Sequence, residues 1–519
     1  MASVVGLAGT ASATPRARPA ASATHRSVQA APRIPAGATK LSSLSPAARL
    51  RVDVILRPAD PGGLASYAQA VSTPGSPEFH DYLSTTAFAS SFGPSPTALA
   101  TVEAALRGDG LPSGHLSADH LSIRLKASAA RLSRAFSTGF VRYRLRSGRT
   151  AFANTKAPML PSAAALDVNG VVGLDDLTLE QAGAVRVATP RRHRSGAAVA
   201  PRIQTGGPQP CGAAVAGNAA GSYTADQVAA AYGFPSMYRQ GDLGQGQTVA
   251  VIEGEPDLAT DIAAYQSCYG TDTDVSYVAV DGGAGTGPGS GEAALDIEQI
   301  IGLAPEAHVV VYQSSPSATS IYDDLSQAVS DDTARVVSTS WGVCEAAATR
   351  LPDPTGGLGA AFGAVFQAEN TLFEEAAVQG QSIVAASGDN GSEDCNTFRE
   401  LGSGYASELS VDDPAGQPFV TGVGGTTLAD PGAPSSETVW NSVGSGGGGI
   451  SELWPMPGYQ SGAPASLGVV NADSSGAPCG ALSGDCREVP DVSADADPYT
   501  GYAIVWNGGW WSVGGTSAG

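Results

Sequence analysis

The sequence predicts an α/β protein, with a parallel sheet covered by helices over residues 211–519 and a separate α+β domain over residues 46–180. Three observations carry this. After residue 211, apolar strands of the buried type alternate with helical stretches, the pattern of a sheet covered on both faces. Before residue 180 the strands alternate apolar and polar residues instead. Between the two, "QAGAVRVATPRRHRSGAAVAPRIQTGGPQP" (181–210) is rich in Pro, Gly and Arg and has no apolar period, so it reads as an exposed linker and a natural place for cleavage.

Residues 1–45 are Ala/Pro/Arg-rich and are expected to be unstructured. Their start, "MASVVGLAGTASATPRARP", has a short apolar stretch and then Ala11-Ser12-Ala13, which reads as the stump of a secretory signal. From residue 46, "LRVDVILRP" and "LSIRLKA" read as strands. "GGLASYAQAVS" and "SPTALATVEAALRGDG" read as helices, the second stopped by Gly108 and Gly110. In the body, strands are expected at "TVAVIE", "HVVVYQ", "ARVVSTSW", "SIVAASGD" and "FVTGVG". Helices are expected at "ATDIAAYQSCY", "GEAALDIEQIIG", "SIYDDLSQAVS" and "NTLFEEAAVQG". No apolar run reaches the ~18 residues that cross a membrane.

Charge is divided unevenly. Residues 1–210 hold 23 bases and 11 acids, a balance of +12; residues 211–519 hold 5 bases and 38 acids, a balance of −33. Opposite signs imply that the two parts attract. A body at −33 is a poor partner for nucleic acid. It sheds most of its charge near pH 3–4, since carboxyls titrate at about 4, which suits an acidic medium.

All six cysteines lie in the body, no CxxC occurs, and the leader looks secretory, so disulfides are expected. Cys479–Cys486 reads as a short local loop. Cys344 and Cys395 each follow an apolar strand, which would leave Cys211 with Cys268; other pairings stay open.

The chain ends in "VGGTSAG", where Ser517 reads as a nucleophile on a tight turn. A serine needs a neighbour to take its proton. The body's single histidine, His308, opens the strand "HVVVYQ" and so stands at the wrong end of the sheet. Gly515–Gly519 also fits G-x-S-x-G, but that elbow needs its acid and His later in the chain. Glu292 and Asp296 are better placed: four apart, they share a helix face, while Glu298 points elsewhere. Two stacked carboxyls tend to share a proton, and near pKa 4 Glu292 is a usable base where a His is already charged. An ordinary helix with two solvated acids would show the same spacing. Asp389, in "VAASGDNG", follows a buried strand. Protonated, it can donate a hydrogen bond to an oxyanion.

Together these motifs resemble the sedolisin (serine-carboxyl peptidase) family, with its kumamolisin-like precursors. The family's Glu-x-x-x-Asp matches Glu292 and Asp296, its Ser-Gly-Asp turn matches Asp389, and its Gly-Thr-Ser turn matches Ser517. "VVSTSWG" is similar to its substrate-lining segment, here Ser340, Trp341 and Gly342. "STPGSPEFHDYLSTTAFASSFGPS" is similar to its activation prodomain. The resemblance implies a subtilisin-like fold, a ferredoxin-like prodomain that inhibits until acid releases it, and Glu253 and Trp341 as supports of Glu292. It also implies a secreted, monomeric acid endopeptidase acting on polypeptides, with Ca²⁺ ligands beyond Gly519. The Asp491/Asp495/Asp497 cluster looks like a substitute metal site, but its place before the serine argues for a structural role. The expectation is a fragment of a longer product. The alternative function is a catalytically dead relative that serves as a secreted binding protein, or an inactive fragment.

Overall fold

The computed structural model describes residues 24–182, 186–187, 203–217, 221–349, 362–398, 406–432, 436–481 and 484–519. The expected signal stump, and the expected linker at 183–185 and 188–202, lie outside the described residues.

In the front domain, Arg49–Leu56 is the spine of an antiparallel sheet. Ser122–Ser128 pairs on one side, with His115–Leu116 beyond it, and Val168–Val172 pairs on the other. The helix Pro61–Ser72 starts at Asp60, whose side chain accepts from Gly63 N. The helix Pro96–Gly108 starts at Ser95, which accepts from Ala98 N. Each has Pro at its first position, where no backbone donor is lost. Val52, Val54, Leu125, Leu132 and Phe136 form the core beneath the second, whereas Leu64 and Ala68 of the first pack with Phe88, Leu121 and Val378.

The expectation of an unstructured 1–45 is corrected where it can be seen. His25–Ser27 pairs with Met159–Pro161, and Thr39–Ser43 pairs with Phe140–Arg144. Every residue of these two strands is exposed. They are held by the backbone ladder, so no apolar alternation announces them.

The body sheet runs in the order Asp274–Ala279, His308–Gln313, Thr248–Glu253, Val336–Thr339, Ser382–Ala386, Val420–Leu428, Glu437–Val439. The first six are mutually parallel; Val492–Asp495 also joins Val420–Leu428 in parallel. Glu437–Val439 is antiparallel, so the sheet is mixed rather than purely parallel. Helices Ala259–Tyr269, Gly291–Leu303 and Ser320–Asp331 fall where the periodicity puts them, and Phe362–Gln379 contains most of the fourth expected helix but begins eight residues before it. The three disulfides are Cys211–Cys268, Cys344–Cys395 and Cys479–Cys486.

The two parts meet through charge at identifiable places. Arg51 of the front domain lies 3.0 Å from Asp281 of the body, and Arg124 lies 2.7 Å from Asp323.

Candidate active site

The parallel register sets one end of the sheet apart. Thr248 faces His308 at the start of the strands, and Glu253 faces Gln313 at their finish. Glu253, the Ser340–Trp341 segment and Asp389 all follow the carboxyl ends of neighbouring strands. The Gly291–Leu303 helix brings Glu292 and Asp296 to the same end. Its N-cap, Ser290, accepts from Glu292 N at 3.0 Å, which anchors the first turn that carries the candidate base.

Three buried carboxyls stand in a group. Glu253 Oε2 accepts from Trp341 Nε1 at 3.3 Å, and Asp296 Oδ2 accepts from Ser340 Oγ at 2.7 Å. Glu292 is 3% exposed, and neither of its oxygens makes a hydrogen bond of ordinary geometry; the same holds for Ser517 Oγ. Burial, reinforced by the charge of Asp296, holds Glu292 well above the usual carboxylate range. The Ser517 hydroxyl opposes part of that rise, so it lies within electrostatic reach. Burial pushes Asp296 up to about 7 against the pull of Ser340. Burial, with the charges of Asp296 and Glu292, also lifts Glu253 well up.

Glu292 is shifted upward from the ordinary carboxylate range in the closed site, because an anion beside Asp296 and away from water is costly. The hydrogen bond expected to support Glu292 runs instead from Trp341 to Glu253. The Ser340 hydroxyl faces Asp296 and orients that carboxyl. Glu298 does point elsewhere: its Oε2 accepts from Val505 N at 2.8 Å.

Ser517 sits in a single helical turn, Thr516–Ala518, directly after the strand Gly509–Gly514. Asp389 Oδ1 accepts from Thr516 N at 2.8 Å and from Thr516 Oγ1 at 3.1 Å, tying the proposed oxyanion donor to the nucleophile's turn. Gly515 has φ +149°, and a Cβ there would lie 2.9 Å from Asp389 Oδ2. Both facts require glycine.

A cleft of about 770 Å³ opens between the two parts, walled by Glu255, Glu292, Trp341, Trp506, Gln181 and Ala182. The start of the expected linker is not a free tether. Gln181 and Ala182 pair antiparallel with Gly342 and Trp341, and Arg186–Val187 pairs with Gly514 and Val513. The chain thus lays its own strand on the segment expected to line the substrate.

Sequence reading missed Asp394 and Asp412. Asp394 packs against Gly388, beside Asp389, and Asp412 packs against Gly342; both are buried. Asp412-Asp413-Pro414 reads as a turn, and only the fold pairs Asp412 and Asp413 with Cys344 and Val343.

Two other candidates fall outside the site. His308 Nε2 lies 2.9 Å from Ser276 Oγ and 3.6 Å from Asp274, at the amino ends of the strands. His308→Ala is expected to leave peptide hydrolysis within about twofold of the parent, checked by kcat/KM; a larger fall would return imidazole to the mechanism. The aspartate cluster is occupied by protein. Asp495 Oδ1 accepts from Leu428 N and Thr500 Oγ1, and Asp497 from Thr427, Ser442 and Tyr499 N. Asp491 takes both guanidinium nitrogens of the fully buried Arg487, at 2.7 and 2.6 Å. Among the described residues no group of three or more His, Cys, Asp or Glu is set to hold a metal ion. Arg487→Met strands Asp491 and the carbonyls of Ala415 and Val420. The expected loss is about 3–5 kcal/mol, read as a fall in urea midpoint at constant slope.

A buried serine on a turn at the carboxyl end of an α/β sheet, behind an attached α+β domain, defines a serine-type peptidase with an activation domain. Comparison with known proteins agrees. Residues 36–177 match the family described as "Pro-kumamolisin, activation domain", and residues 273–518 match "Subtilase family". Sedolisin of Pseudomonas sp. (strain 101) is 31% identical over 506 residues, covering 92% of this chain and 76% of that protein. Kumamolisin of Bacillus sp. (strain MN-32) is 39% identical over 57% of this chain and 50% of its own length, so this chain spans about half of it. Tripeptidyl-peptidase 1 of Rattus norvegicus is 27% identical over 91% of this chain and 77% of that protein. The chain belongs to the sedolisin family of serine-carboxyl peptidases.

Proposed function

We propose that this chain is the precursor of a secreted endopeptidase that acts in acid through an acyl-enzyme on Ser517. The observation that carries the reading is the file of buried carboxyls, Glu253, Asp296 and Glu292, that ends at the Ser517 hydroxyl, with His308 at the opposite end of the sheet.

Ser517 Oγ attacks the peptide carbonyl while its proton passes to Glu292. Asp296, held by Ser340, and Glu253, held by Trp341, share protons with Glu292 and fix its position. Asp389 in its acid form donates to the oxyanion, with Thr516 fixing its other oxygen. Glu292 returns the proton to the leaving amine, and water then cleaves the ester by the same path. The base must be an anion when it acts. Departure of the front domain re-wets Glu292 and lowers its pKa from the value that the closed precursor imposes.

The front domain, ferredoxin-like in this reading, is the intramolecular inhibitor of the body; residues 1–210 as a whole carry +12 against −33 for residues 211–519, and maturation cuts within 181–210. The divisions at 46–180 and 211–519, and action as a monomer, belong to the same reading. No step is routed through the calcium that the resemblance implies.

The test is hydrolysis of an amino-terminally blocked fluorogenic peptide by the matured protein across the pH range. Cleavage that peaks in acid and vanishes in Ser517→Ala is expected. A neutral optimum rejects the carboxyl mechanism, and no cleavage at any pH favours the secreted binding protein.

A further inference from the structure

We propose that Glu369 and Asp413 form a specificity subsite that takes a Lys or Arg side chain of the substrate. This rests on the peptidase reading above and adds a side-chain preference to it.

The chain's own strand shows where the subsite lies. Gln181 pairs with Gly342 and Ala182 with Trp341, and on the far side of the same strand Val343 pairs with Asp413. Continuing the register by one residue sets Glu180 opposite Val343. Glu180, Val343 and Asp413 then form one cross-strand row, whose side chains share a face. Glu369, on the Phe362–Gln379 helix, reaches across that face to the carboxyls of both Glu180 and Asp413. A substrate strand that replaces Gln181–Ala182 brings its preceding side chain to the place of Glu180. That place opens into the cleft that also holds Glu292 and Trp341.

The chemistry of the site is one-sided. Glu369 and Asp413 are 2% and 1% exposed. Asp413 Oδ1 takes Gln417 Nε2 at 3.2 Å, while the buried Oδ2 has no hydrogen bond of ordinary geometry. Among the described residues no Lys or Arg forms an ion pair with either carboxyl. The occupant is a third acid. Burial and the charge of Asp413 push Glu180 up to about 8, burial takes Asp413 to about 7, and burial with both neighbours lifts Glu369 further above its ordinary range. Glu180 is thus a third acid that cannot ion-pair with either carboxyl, a plug that leaves with the front domain. An ammonium or guanidinium in its place pairs with both carboxyls and satisfies the orphan oxygen. Charge-assisted hydrogen bonds of this kind correspond to about 10- to 100-fold in affinity.

The experiment uses the matured protein and blocked peptides with Lys, Arg or Leu at each position upstream of the cleaved bond. At about pH 5, above the ordinary carboxylate range, one position is expected to favour Lys and Arg over Leu by tenfold or more in kcat/KM. That ratio should collapse toward one in Glu369→Gln and in Asp413→Asn. Equal cleavage of Lys and Leu peptides at every position, or a ratio that survives both substitutions, overturns the subsite. Failure of the peptidase reading looks different: no peptide is cleaved in a Ser517-dependent way. Should both variants misfold, Glu180→Lys in the full chain decides. Seating a cation is expected to slow self-processing several-fold, and unchanged or faster processing overturns the proposal.

Discussion

Glu292→Gln is expected to lower kcat by about 10³-fold or more, with KM within about twofold. The substitution keeps the shape of the side chain and removes its ability to take a proton, a contribution of about 10²–10⁴ for a positioned base. Part of the loss also comes from the neighbours. Asp296 and Glu253 are arranged to tune a carboxyl, and around an amide they have nothing to share. KM holds because Glu292 addresses the serine hydroxyl, whereas Trp341 and Gly342 hold the strand in the cleft. A melting curve separates this loss from misfolding. Removing one of three crowded buried acids should leave the Tm equal or higher at neutral pH. A variant that keeps more than about a tenth of parental kcat would end the role given to this carboxyl.

The second large effect is on stability. The intact precursor, kept whole by Ser517→Ala, is expected to be most stable near pH 4 and to weaken steadily toward pH 8. The sign follows from the direction of the shifts. Burial raises Asp296 and Asp413 to about 7, and Asp324 and Glu345 to about 8. In the unfolded chain these groups titrate near 4. Between the two values the native state binds more protons than the unfolded state, so stability falls as pH rises through the window. It is fully present below about 4 and lost above the folded values. One carboxyl moved from about 4 to about 7 is worth about 4 kcal/mol. Several such groups act together, so the urea midpoint should drop markedly across the range. A midpoint that rises between pH 5 and 8 would show that the buried acids are ionised and paired in the folded protein.

The contrast between what could and could not be read lies in periodicity. The strand at Thr248–Glu253 and the helix at Gly291–Leu303 announce themselves because burial imposes a period on their apolar residues. Glu292 and Asp296 were legible for the same reason, since four residues make about one turn. Ser517 and Asp389 were legible from the glycines that tight turns demand. The exposed strands at 25–27 and 39–43 were not, because a ladder made of backbone leaves no side-chain pattern. The upward shift of Glu292 was not legible either: it depends on how deeply the fold buries it beside Asp296.

By itself the sequence determined the alternation of strand and helix, the two-part charge division and the residue types gathered at the candidate site. These are local in the chain and follow from burial period, composition and turn chemistry. Tertiary structure alone decided that Trp341 serves Glu253, that Ser340 serves Asp296, that Glu180 meets Glu369 and Asp413, and that residues 181–182 lie on the cleft strand. Each joins segments far apart in the chain, and their partners and protonation are set by the depth and register of packing, which no local pattern encodes.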